Sequence, residues 1–501
     1  MGVLLALGLA TSGCATLNSV GNSITGGSSG PGPGAPGYVS GFLGGVAADE
    51  PRAALAAREV LSAGGTAADA AVAAGYMLTV TLPSRASLGG GGACLAYDPD
   101  KASINGGVPE ALLFVSPPGG GTGARPAAVP MMARGMFALQ ARYGRRPFDS
   151  LTIYAEQAAR FGVPVSRAFA RDIAVVAGPL AGDPLARAVF FQANGEPLTE
   201  GMTLVQPDLG ATLAQLRVAG VGDLYVGAVS RKLVDAAGQA GGGLTPSALR
   251  DSLPSFAPTL AIDVPRGDQA VFLPPPADGG LAAAAAFQVL LSRPGDLRSA
   301  QDRALAVAAA WRAQGGQGDP AALLAGSVRP ASLSLLPAST SLVTLDHDGR
   351  AVACAFTMNN LFGTGRIAPG TGLLLAASPS WMPPALLAAG MTWNPNIHAF
   401  RAAVGASGQE GAPLAVADDL MQTQSVTTRV SAGAGPPPGP NAPDVQASAL
   451  AVLSSSNGAL RPVPEPGRAN VISCAGYLPG EPNSCGWVTD PRGAGLAAGS
   501  N

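Results

Sequence analysis

The stretch that most constrains this chain runs from Ala338 to Gly365, ASTSLVTLDHDGRAVACAFTMNNLFGTG. Two β-type runs flank Asp346-His347-Asp348-Gly349, a sequence rich in turn-forming residues. Both runs are mostly apolar, so the pair reads as buried strands needing cover from other elements. Small hydroxyl residues, Ser339, Thr340 and Ser341, stand just ahead of the first run, and Asn359, Asn360, Gly363 and Gly365 close the second. The local pattern is a buried hairpin with polar groups gathered at its open end.

The rest of the chain supplies the cover. Its 501 residues allow one or two domains around a large core. Pro51 to Ser62 reads as a helix stopped at Gly64-Gly65. Thr66 then caps a second helix, with Asp69 placed for a capping box, and Pro83 ends it. Ser87 to Gly92 is a glycine run leading into the strand ACLAYD, without the GK[ST] of a phosphate loop. Helical stretches are expected over 131–143, 150–161, 229–239, 281–292 and 300–314, and strands over 269–273, 341–346 and 350–357. The fold class is α/β (α+β).

Composition excludes several functions. Hydrophobic residues make up 47% and charged residues 12%, but much of the apolar content is alanine, and no run beyond the N-terminus approaches a bilayer span of about 20 residues. The net charge of −2 comes without a basic block, so no nucleic-acid partner is expected. Residues 1–14 read as an export signal whose end, Thr11-Ser12-Gly13-Cys14, resembles a bacterial lipobox with Cys14 as the lipidated residue. Residues 15–40 read as a Gly/Ser/Pro-rich linker. The expected setting is the bacterial cell envelope (periplasm), with membrane contact through a lipid anchor only. There Cys474 and Cys485, which flank a Gly/Pro-rich loop, suit a disulfide, whereas Cys94 and Cys354 read as two buried thiols.

The chain has two histidines, His347 in the turn and His398 in NPNIHAF, and neither sits beside a hydroxyl motif. A Ser-His-Asp triad is therefore a poor fit, and no Cys/His metal site or organic cofactor is expected. A nucleophile that needs no histidine is a Ser or Thr exposed at a new N-terminus by self-cleavage, with its own α-amine as base. The 338–365 segment suits that chemistry.

Several blocks, in order, resemble the γ-glutamyltransferase family. They are GGTAADAAVAAGYMLTVTLPSRASLGGGGACLAYD (64–98), ARGMFALQARYGRRPFDSLTIYAEQAARFGVPVS (133–166), LVQPDLGATL (204–213), GGGLTPSALRD (241–251), FLPPPADGG (272–280), the 338–365 segment and VTDPRGAGLAAG (488–499). The resemblance implies a four-layer αββα sandwich of the N-terminal-nucleophile (Ntn) hydrolase type. It also implies self-cleavage before Ser339 into a large-subunit-like segment (41–338) and a small-subunit-like segment (339–501) that stay associated. Ser339 falls on the family nucleophile, with Thr340 as the alternative if the alignment slips by one. Thr357 falls on a threonine that contacts the nucleophile, Asn359 on a substrate-binding asparagine, and Gly408 with the Gln409 amide on the oxyanion pair. The arginine that clamps the substrate carboxylate falls near Gly107, which has no such side chain. The acidic block falls on AASPSWM (376–382), where Ser378 and Ser380 are the polar remnants.

Three functions follow as expectations. The first is a γ-glutamyltransferase or glutathione-hydrolase type of enzyme acting on small γ-glutamyl amides. The second is an amidase with an altered substrate. The third is a non-catalytic envelope lipoprotein that keeps the fold.

Overall fold

The computed structural model describes residues 42–425, 447–454 and 460–500. Cys14, the 1–14 leader and the whole 15–40 linker lie outside the described residues.

Two antiparallel sheets stack face to face. In spatial order the first holds Leu496–Ser500, Gly44–Ala48, Ser339–Asp346, Ala351–Thr357, Gly91–Tyr97, Glu110–Phe114 and Ser255–Pro258. The second holds Cys485–Thr489, Arg468–Leu478, Ala399–Ser407, Ala388–Asn394, Asp268–Phe272 and Leu260–Val264. Side-chain alternation builds the layers. Val343, Leu345, Ala353 and Ala355 point between the sheets and meet Val271, Ala403 and Ile472. Leu342, Val352 and Phe356 point the other way, into a core shared with helices Pro51–Ser62 and Ala67–Thr81. On the far side, Asp278–Ser292, Leu297–Ala313 and Gly411–Ser425 cover the second sheet. The result is the expected αββα sandwich.

Alanine makes the close layering possible. Every residue of Ala67–Thr81 is buried, and its short side chains let the helix lie against the first sheet. Its start is fixed by the Thr66–Asp69 capping box. It is also fixed by the turn of the central hairpin, because the Asp346 carboxylate accepts from the Ala67 N–H at 3.0 Å. The Asp346–Gly349 turn is therefore a docking point for a helix as well as a strand connection.

Three sequence expectations change. The hydroxyl residues are not ahead of the strand, because Ser339, Thr340 and Ser341 already lie in it, paired with Thr357, Phe356 and Ala355. Cys94 and Cys354 are not free thiols. They are direct cross-strand partners joined as a disulfide, fully buried, with Cα atoms 4.0 Å apart. Gly107 belongs to the connection between Gly91–Tyr97 and Glu110–Phe114, at the opposite end of the sheet from Ser339. A side chain there could not reach a site at Ser339. In the second sheet, Cys474 and Cys485 are joined as well.

Candidate active site

The open end of the central hairpin brings the predicted residues together. Thr357 sits directly opposite Ser339, and both point between the sheets. The Thr357 hydroxyl donates to the Ala338 carbonyl oxygen at 2.5 Å and accepts from the Asn359 N–H at 2.9 Å. The carbonyls on either side are held too. Gln409 Nε2 donates to the Pro337 oxygen at 3.0 Å, and Arg85 Nη1 donates to the Ser339 oxygen at 3.2 Å. Three consecutive carbonyls are thus gripped by side-chain donors, which fixes the peptide between Ala338 and Ser339.

The side chains around that peptide are short of partners. Ser339 Oγ, both side-chain polar atoms of Asn359, Asn360 Oδ1 and Gln409 Oε1 are buried without a hydrogen bond. Such groups are costly unless a ligand or a reaction uses them. Asn359 and Gln409 also hold left-handed backbone, with φ of 54° and 51°. Strain in non-glycine residues gathers at functional sites. Gly408 adopts φ 105°, and a Cβ there would stand 2.3 Å from the Pro466 oxygen, so the turn that carries Gln409 inward needs glycine. Gly90 serves similarly, since a Cβ would lie 2.5 Å from the Thr357 oxygen.

Thr340 faces the other way. Its hydroxyl donates to Asp49 Oδ2 at 2.9 Å, and the same oxygen takes the Ser341 N–H at 3.0 Å. Asn470 Nδ2 bridges Asp49 Oδ1 and Ser341 Oγ at 2.9 and 2.8 Å. Thr340 and Ser341 are therefore engaged in structure, and Ser339 alone of the three keeps an unpartnered hydroxyl.

Ser378 lies close by, because the Ala377 N–H donates to the oxygen of Met358, which stands between Thr357 and Asn359. Its hydroxyl pairs with Ser380 at 2.8 Å, and Ser380 is exposed. Both histidines are remote. His347 follows Asp346, the far end of the Ser339 strand, which spans about 23 Å at 3.3 Å per residue. His398 contacts the Gly107 oxygen at 3.2 Å. His347 lies with Asp346 and Asp348 in a group whose ligand atoms are within 4.8 Å of one another. Two of its members are already occupied, Asp346 by backbone N–H groups and Asp348 by Arg350 and Arg145.

One element of the site left no signal in the sequence. Arg85 is buried, with Nε and Nη2 on Asp172 at 2.8 Å each and Nη1 on Glu465 at 2.8 Å. Arg468 also reaches Glu465, at 2.9 Å. Burial opposes the charge on Arg85, but Asp172 and Glu465 outweigh it and hold its pKa above the ordinary value. Burial likewise pushes the Glu465 carboxyl up, but Arg85 and Arg468 bring it below its usual range. Beside this network is a cavity of about 400 Å³ lined by Asp49, Arg85, Arg171, Asp172, Glu465 and Arg468 among others. It adjoins the junction through the Arg85 contact with Ser339 and the Asp49 contact with Thr340.

Known proteins resemble this chain in sequence and in fold. The family model described as "Gamma-glutamyltranspeptidase" matches residues 53–311, about half of the chain. A glutathione hydrolase proenzyme of Escherichia coli (strain K12) is 26% identical over 372 residues, covering 63% of this chain and 63% of the relative. One from Bacillus subtilis (strain 168) is 31% identical over 258 residues, covering 47% of this chain and 42% of the relative. The chain thus spans less than two thirds of the length of these curated relatives. The solved structure of a cephalosporin acylase from Bacillus halodurans superposes with a TM-score of 0.69, over 94% of this chain and 98% of that one, at 18% identity, a likeness of fold. With the αββα sandwich in place and the family model spanning its N-terminal half, the chain belongs to the gamma-glutamyltranspeptidase family.

Proposed function

We propose that this protein is a self-cleaving Ntn hydrolase of the γ-glutamyltransferase type, cut between Ala338 and Ser339. The observation that carries the reading is the gripped peptide with an unpartnered hydroxyl beside it. In the first step Ser339 Oγ attacks the Ala338 carbonyl carbon. The carbonyl oxygen takes negative charge, and the Thr357 hydroxyl, 2.5 Å away, stabilises it. The C–N bond breaks, the hydroxyl proton ends on the freed nitrogen, and an ester joins Ala338 to Ser339. Water then hydrolyses the ester, leaving an Ala338 carboxylate and a Ser339 with both a free α-amine and its hydroxyl. That amine serves as the base when Ser339 attacks an amide substrate. Gly408 and Gln409 supply backbone around the second oxyanion. Thr340 is the lesser candidate, because its hydroxyl is committed to Asp49 on the opposite face.

The substrate class is a small amide of γ-glutamyl type, in keeping with the relatives named glutathione hydrolase proenzymes. The recognition set differs from the family pattern. Gly107 lies at the wrong end of the sheet, and the 376–382 segment offers only Ser378 near Asn359. That difference supports the second reading, an amidase for a less charged acyl group, because a buried zwitterion without charged partners would cost several kcal/mol. Export to an oxidising envelope compartment, with a lipid at Cys14, completes the proposal, and the two disulfides support the oxidising setting.

The test is to purify the full chain, follow its fragments on a reducing gel, and then offer a γ-glutamyl anilide and an uncharged acyl anilide. Two fragments of roughly two thirds and one third of the length, with anilide release, are expected. An intact chain after long incubation refutes the cleavage. Fragments that release neither anilide refute the substrate class.

A further inference from the structure

We infer that the mature protein is a covalent heterodimer in which the Cys94–Cys354 disulfide replaces the chain connection lost at Ala338–Ser339. The inference rests on the proposed cleavage, and its own observation is the pairing of two residues 260 positions apart on either side of the cut.

The cut divides the first sheet in an interleaved way. The 339–501 segment supplies Leu496–Ser500, Ser339–Asp346 and Ala351–Thr357, and the other segment supplies Gly44–Ala48 and Gly91–Tyr97 between and beside them. Cys354 and Cys94 face each other at the seam between Ala351–Thr357 and Gly91–Tyr97. Cys474–Cys485 lies wholly within the 339–501 segment, so among the described residues only Cys94–Cys354 can tie the two pieces. The bond sits three residues from Thr357 on one strand and three from Gly91 on the other, and Thr357 pairs with Gly91. It therefore fixes the register of the strand that carries Thr357 after the peptide connection is gone.

Formation of the bond releases two protons and two electrons from two thiols. A disulfide-donating oxidant of the exported compartment accepts the electrons by thiol–disulfide exchange. Both cysteines are fully buried, so a reductant reaches the bond only when the sandwich opens.

A tether of this kind changes reassembly. Once cut, untethered fragments must find each other from solution, whereas tethered ones meet at an effective concentration in the millimolar range. At about 1 µM protein the tether favours reassembly by roughly 10³-fold. Refolding yield should then be independent of protein concentration.

The experiment uses the full chain produced in an oxidising compartment, allowed to process, with free thiols alkylated before denaturing electrophoresis. The expected result is one band of the combined size without reductant and two bands with it. Cys94→Ala and Cys354→Ala should each give two bands without reductant, and refolding of either from urea should fall with dilution. Cys474→Ala should keep the single unreduced band. Two bands in both lanes from the unsubstituted protein would overturn the covalent link while leaving the cleavage intact. One uncut chain under reducing conditions would overturn the cleavage, and the heterodimer with it.

Discussion

Replacing Thr357 by Val keeps shape and volume but removes one hydroxyl. That hydroxyl donates to the Ala338 oxygen at 2.5 Å and accepts from the Asn359 N–H at 2.9 Å, inside a buried site. Loss of one donor aimed at a developing oxyanion costs about 10²–10³ in rate. Self-cleavage should slow by that factor, from its unperturbed half-time to one hundreds of times longer. The fold pays separately, because the Ala338 carbonyl and the Asn359 N–H each lose a partner, at about 1–3 kcal/mol per buried group. The assay is a time course of fragment appearance on reducing gels, with urea denaturation run beside it to show that the variant is folded. Thr357→Ser, which restores the hydroxyl, should recover most of the rate. A folded Thr357→Val protein that cleaves as fast as the parent would refute the role given to this side chain.

Thr340→Ala should still cleave, because its hydroxyl serves Asp49, and should lose about 1.5 kcal/mol of stability by chemical denaturation. Arg85→Met leaves Asp172 and Glu465 buried without their shared partner and should cost about 3–5 kcal/mol. Glu465 has a lowered pKa in the folded protein, so its contribution is present above the ordinary carboxylate pKa and is lost as pH falls; the gap between Arg85→Met and the parent should narrow on acidification. Asp346 has the opposite sign. Burial raises its pKa to about 6 despite Arg350 and the backbone donors, so the folded state holds the proton more tightly than the unfolded chain. Its contribution should fall by up to about 3 kcal/mol as pH rises from about 4 to about 6, a trend that Asp346→Asn should flatten in a urea series.

The hairpin, the helices and their caps were readable because they depend on neighbours in sequence. The Thr66–Asp69 box and the 346–349 turn need only local spacing, and helices expected at 281–292 and 300–314 formed as 278–292 and 297–313. What the sequence hid were contacts set by strand register. Cys94 and Cys354 look like core thiols until Gly91–Tyr97 pairs with Ala351–Thr357, which places them opposite each other. The resemblance aligned the clamping arginine near Gly107, a glycine, and strand direction puts that position at the far end of the sheet. Arg85 and Asp49 gave no motif, because their partners, Asp172, Glu465 and Thr340, are between 87 and 380 positions away. The resemblance put the candidate nucleophile on Ser339 with Thr340 as the alternative, and the strand's two faces add support for Ser339, because the Thr340 hydroxyl is held by Asp49.

The most direct test of the account is N-terminal sequencing, with intact mass, of the smaller fragment from the reduced and purified protein. The expected fragment begins Ser339-Thr340-Ser341 with a free amine, and Ser339→Ala should give no such fragment. A fragment that begins at Thr340 or elsewhere, or a parent chain that stays whole, would contradict it.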